Sequence, residues 1–160
     1  HLAMAWFANI HGLQMEHVPY KGLVQALQDQ IAGRLDVMFA VPGGAAPFIN
    51  AGKLKALAVS GKNRLSIAQN VPTFAEVGFP DFDASFYFGV AAPAGTPRDI
   101  VVKFQQEASR ILNAADFKEK YLTPLGFEPV GDSPEQFAAF VRSDRELAAK
   151  KVKISGAKLD

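Results

Sequence analysis

Tyr20, Lys21 and Gly22 stand together in the stretch EHVPYKGLVQAL, where a short apolar run gives way to helical spacing. An aromatic hydroxyl, a cation and a bendable backbone are the parts of a small-anion site. A turn that opens a helix also points unpaired N–H groups outward. A second turn of this kind, VPGGA, places Val41, Pro42, Gly43 and Gly44 between another apolar run and another helical segment. Two glycines there let a ligand approach the backbone. Each turn alone also reads as a plain chain reversal with a solvated lysine or a tight bend. Taken together, they favour a site for an anion or carboxylate.

Other chemistry finds less support in the residues. The histidines are His1, His11 and His17, without a second pair at metal-ligand spacing. Ser60 and Ser85 lack the surroundings of a hydrolase nucleophile, and no acid or histidine is spaced to complete a triad. VPGGAAPF matches neither the dinucleotide nor the Walker pattern. The cluster SFYFG, with Phe86 and Tyr87, alternates as a strand would and reads first as core. No metal or organic cofactor is expected.

The elements that must position the two turns follow from periodicity. Leu2, Trp6, Ile10 and Leu13 recur at helical spacing, and Gly12 closes that helix. MEHVP reads as a short strand. Leu23, Leu27 and Ile31 mark a second helix, stopped by Gly33. LDVMFAV, residues 35–41, is almost continuously apolar, as a central parallel strand covered on both faces would be. A short helix from PGGAAPFINAG, stopped by Gly52, and a strand KLKALAVS over 53–60 come next. Thr73 to Val77 reads as one short helix capped by Gly78, and residues 84–92 as a third buried strand. AGTPRDI predicts a helix with Thr96 as N-cap, Pro97 at N1 and Asp99 at N3, running to about Asn113. DFKEKYLTPLG reads as another short helix and FEPVG as a strand. Ser133, Pro134 and Gln136 form a capping box that opens the last helix, to about Lys153. Strands alternating with helices imply an α/β fold.

Bulk properties narrow the classes. Of 160 residues, 49% are hydrophobic, enough for a core and too many for a disordered chain. Formal charge is +1, so no global field attracts nucleic acid or an anionic membrane. The basic residues between Arg145 and Lys153 are broken by Glu146 and alanines and read as a solvated helix face. Without cysteine there are no disulfides or thiolate sites, which suits an oxidising compartment. No apolar run approaches the roughly 20 residues of a membrane span. The start, HLAMAWFANI, has no signal-peptide pattern and begins without a cap. That leads us to expect upstream sequence.

HVPYKG, DVMF, INAGKLKALAVS, VPTFAEVGFPDFDASFYFGVAAPAGTP and LGFEPVGDSPEQFAAFVRSD follow one another in order. This succession, over essentially the whole chain, resembles the periplasmic substrate-binding receptors of tripartite tricarboxylate transporters, the Bug receptors. The resemblance implies a type II periplasmic binding-protein fold, with two α/β lobes hinged around a small carboxylate. Residues 1–88 would be the second lobe, truncated at its start. Residues 89–160 would be the crossing strand and C-terminal helices of the first lobe, with the hinge near Pro93. Tyr20, Lys21 and Gly22 match the family's PYKG turn at the cleft edge. Val41, Pro42, Gly43 and Gly44 match its loop after a second-lobe strand, and Phe86 lies where a cleft-lining aromatic is expected. Ala40 and Val41 stand where many relatives place an aspartate or asparagine, which puts recognition of an amino or hydroxyl group through that position in doubt.

The implied protein is a non-enzymatic periplasmic receptor for a di- or tricarboxylate or amino acid, delivering it to membrane transporter subunits. A ligand-sensing module for a signalling kinase remains an alternative, and an enzyme using Ser60, Tyr20 or Lys21 a third. With one lobe incomplete, the chain alone is expected to self-associate through unpaired edges.

Overall fold

Six helices and the segments between them account for the described residues, 1–155, of a computed structural model. They are α1 (Leu2–Ile10), α2 (Leu23–Ile31), α3 (Pro42–Asn50), α4 (Arg98–Asn113), α5 (Ala115–Phe117) and α6 (Pro134–Ser155). The expected spacing is realised in α2, where Leu27 is 3% exposed and Ala26 is buried beside it. Gly33 stops this helix with φ +74. Its N–H donates to the Gln30 carbonyl and that of Arg34 to the Asp29 carbonyl, the paired bonds of a Schellman ending. Equivalent bonds at Gly12 and Gly52 close α1 and α3.

The expected strands are a different matter. Residues 35–41, 53–60, 84–92 and the runs MEHVP and FEPVG form no strand among the described residues. One isolated parallel bridge joins Val59 to Thr73, with Val59 N–H on the Pro72 carbonyl and Phe74 N–H on the Val59 carbonyl. The reason is physical: apolar alternation specifies which faces want burial, but a ladder also needs a neighbour about 4.8 Å away. Of residues 84–92, expected to be buried, 85–92 are exposed instead, with Phe86 at 53%, Phe88 at 77% and Val90 at 72%.

What does pack is an aromatic cluster. Phe82, 4% exposed, meets Trp6, Phe7, Phe39 and Phe74 at ring separations of 4.8 to 5.9 Å. Phe7 adds edge contacts to Phe74 and Phe79. Helix α6 lies on α1, where Lys151 Nζ sits 4.5 Å over the Trp6 ring. Near its other end, Phe137 lies against Gly89 and Phe140 meets Tyr87 edge-on.

Three local expectations are adjusted. Thr96 does not cap α4: its hydroxyl donates back to the Pro93 carbonyl at 2.8 Å, and Pro97 becomes the N-cap. Thr73 to Val77 is a turn rather than a helix. Thr73 and Glu76 nevertheless bond reciprocally, backbone N–H to side-chain oxygen, as a capping box. The short helix in DFKEKYLTPLG becomes α5, a π-type turn over Lys118–Leu122 and a 3-10 turn over Thr123–Leu125. Ser133 and Gln136 do form the expected box, at 2.9 and 3.2 Å.

Candidate functional site

The two turns singled out by residue type lie side by side. Gly22 is the N-cap of α2 and Val41 the N-cap of α3, both in extended backbone. Leu23, the first residue of α2, reaches the first turn of α3: a Cβ built on Gly44 would lie 2.6 Å from Leu23 Cδ2. Two helix starts are therefore neighbours. Their leading N–H groups and dipoles supply positive potential without a charged side chain. Lys21 is exposed beside them.

Each expected residue has a definite place. The hydroxyl of Tyr20 donates to Asp29 Oδ2 at 2.7 Å, so the ring lies along α2. Arg34 holds the other oxygen of Asp29 at 2.6 Å. The Tyr20 bond, then that of Arg34, lowers the Asp29 carboxyl below its ordinary value. The same bond to Asp29 raises the Tyr20 phenol. Tyr20 thus ties the PYKG turn to the body of α2. Gly43 and Gly44 belong to the first turn of α3 and not to an open loop. Pro42 has no N–H, while the Gly44 and Ala45 N–H groups both bond to the Val41 carbonyl. Val41 is exposed and Ala40 half-buried, with no side-chain polar group at either position. Phe86 joins Phe88 and Phe127 by edge contacts at 5.5 and 6.1 Å.

Residue spacing missed two pairs of neighbours. Asp29 fixes Tyr20 from nine residues away and is itself held by Arg34. Leu125 lies against Gly43, and Gly126 faces Pro42 and Ile67. Neither contact has a local signal in sequence. The Thr73–Glu76 box is braced from outside, because Arg64 forks onto Glu76 at 2.9 to 3.1 Å and also donates to the Gln69 carbonyl. That pairing, and then the Thr73 N–H, hold the Glu76 carboxyl down at about 2. An open hollow beneath Ile49, Leu54, Leu57 and Val71 sits at the opposite end of α3 from the paired helix starts. Among the described residues, no group of three or more His, Cys, Asp or Glu gathers to hold a metal.

The chain as a whole is similar in structure to periplasmic binding proteins. The chain superposes on R. palustris Rpa4515 with adipate at TM-score 0.84 and 31% identity, covering 98% of this chain and 52% of that one. Periplasmic binding protein BugD matches at TM-score 0.79 and 28% identity, covering 99% and 53%. MatC from Rhodopseudomonas palustris with bound malate matches at TM-score 0.69 and 29% identity, covering 97% and 51%. The model of the tripartite tricarboxylate transporter family receptor matches residues 1–156, and the chain belongs to that family. Among curated relatives, a UPF0065 protein from the tcbD-tcbE intergenic region of Pseudomonas sp. (strain P51) is 36% identical over 147 residues, or 91% of this chain and 44% of its own length. Protein BugT of Bordetella pertussis is 31% identical over 159 residues, covering 99% and 48%. The chain spans about half the length of these relatives.

Proposed function

We propose that this chain carries part of a periplasmic receptor for a small carboxylate, which it hands to a tripartite transporter in the membrane. The observation that carries the reading is the pair of adjacent helix starts, Gly22–Leu23 and Val41–Gly44. The N–H groups at the start of α2 and that of Gly43 in α3 suit a carboxylate head, and Lys21 adds long-range attraction. Two solved relatives, one with adipate and one with malate, fit the same ligand class. The α/β lobe expected over residues 1–88 belongs to this proposal, as does the crossing segment and first-lobe portion from residue 89. The last five residues of that second range lie outside the described ones. A complete sheet would come from pairing the runs at 35–41, 53–60 and 84–92 with chain that covers their exposed faces.

A receptor works by closing, so it needs no nucleophile or general base. Family members being receptors fits that requirement. Among the described residues no helix is long and apolar enough to cross a membrane. The test is thermal: ligand-free protein melted with a panel of dicarboxylates, tricarboxylates and amino acids. A ligand at 100 times its Kd stabilises by about 2.7 kcal/mol. A panel that leaves the melting temperature unchanged throughout would sink the proposal. Genes for membrane transporter subunits beside the coding sequence support delivery, whereas a sensor-kinase gene in that place would favour signalling.

A further inference from the structure

The start of α3 is gripped from behind by the turn that follows Leu122, far along the chain. A Cβ on Gly43 would lie 2.8 Å from Leu125 Cδ2 and 2.9 Å from Leu125 Cα, with the Pro124 carbonyl at 3.4 Å. Contact with Cα is contact with backbone, so only glycine allows the two segments to meet so closely. The next residue repeats the fit in reverse. A Cβ on Gly126, whose φ is +72, would stand 3.0 and 3.3 Å from Pro42 and 3.4 Å from Ile67. The turn presenting Leu125 is itself fixed, with Gly126 N–H on the Thr123 carbonyl and Phe127 N–H on the Leu122 carbonyl, both at 3.0 Å.

We propose that the Thr123–Gly126 turn is a positioning element for the ligand-bearing start of α3, with Leu125 as its positioning residue. Leu125 touches no ligand in this scheme. It sets where the first turn of α3 stands relative to residues 98–155, so gripping a carboxylate and seating the C-terminal part become one coupled event. Gly43 is there to admit Leu125 on its outer side, leaving the Gly44 side for Leu23 and α2. The inference rests on the carboxylate-receptor reading, and it assigns a role to residues that reading does not use.

The experiment compares Leu125→Ala, Leu125→Met and Gly43→Ala with wild type, in the ligand-free protein as encoded by its gene. Adipate and malate titrations give affinity, melting gives stability, and hydrogen exchange follows the amides of residues 43–45. For whichever acid binds wild type, Leu125→Ala and Gly43→Ala should lose about tenfold or more in affinity, the scale of an ordinary coupling free energy. Leu125→Met, which keeps the bulk, should stay near wild type. Exchange at the α3 start should quicken in Leu125→Ala without a matching fall in melting temperature. Unchanged affinity in Leu125→Ala, or a loss of stability with no local change in exchange, overturns the proposal. If neither these acids nor any other member of the panel binds wild type, the receptor reading loses its support, and the exchange arm still decides. Faster exchange confined to residues 43–45 upholds the positioning contact, and unchanged or uniform exchange removes it.

Discussion

Arg64 and Glu76 are the most tightly engaged charged pair near the aromatic cluster, and they make a loop hold its shape. Three of Arg64's guanidinium hydrogen bonds go to Glu76 and one to the Gln69 carbonyl. Because the Glu76 carboxyl is held at about 2 against an ordinary 4.5, its contribution is fully present above pH 4.5 and is lost as pH falls toward 2. Glu76→Gln should therefore melt below wild type at pH 7, with a gap that shrinks from pH 4.5 downward. Melting curves at pH 7, 4, 3 and 2 check this, and a constant gap contradicts it. Residue-level bonds were legible in sequence when short. The Ser133–Gln136 box could be read from spacing of three, since its geometry is local. The Tyr20–Asp29 bond could not, because nine residues separate the partners and Glu16 is nearer in sequence.

Helices carry the fold that residues 1–155 display, and their ends are the parts most easily read. Gly33 illustrates this at low ambiguity, since a Cβ there meets nothing within 4 Å. Gly33→Ala should cost only backbone strain, about 1–2 kcal/mol in denaturant unfolding. Gly33→Asn should cost less, because asparagine tolerates the left-handed region. A larger cost for asparagine than for alanine would mean that side-chain volume, and not φ, decides the position. Leu27 is the opposite case: buried to 3% exposure on α2, its replacement by alanine should destabilise by about 2–5 kcal/mol. A cost below about 1 kcal/mol would show that α2 is not docked as described. The strands were not legible in the same way. LDVMFAV says that both faces want cover, but pairing depends on chain elsewhere, and helix periodicity needs no such partner.

At the scale of the molecule, the accessible surface is 11,734 Å², against about 7,800 Å² for a compact monomer of its 17.2 kDa. The excess is several times the roughly 800 Å² that one partner contributes to an ordinary interface. Much of it is apolar, including Phe86, Phe88 and Val90 and the Ile100, Phe104 and Ile111 stripe of α4. Produced alone, the 160-residue chain should associate: sedimentation should report species heavier than 17.2 kDa. A clean monomer that unfolds cooperatively would contradict this. Family membership was legible over the whole chain because the motifs keep their order. Ligand identity was not, because the helix starts offer backbone N–H groups and little side-chain chemistry to distinguish one carboxylate from another. Charge on the ligand is thus the feature to test. The most direct measurement is calorimetric titration of ligand-free protein, as encoded by its gene, with adipate and with its uncharged diamide. Saturable binding of adipate, or of malate in a parallel titration, with no binding of the diamide is the expected result. Equal binding of acid and diamide would contradict a carboxylate grip at the starts of α2 and α3.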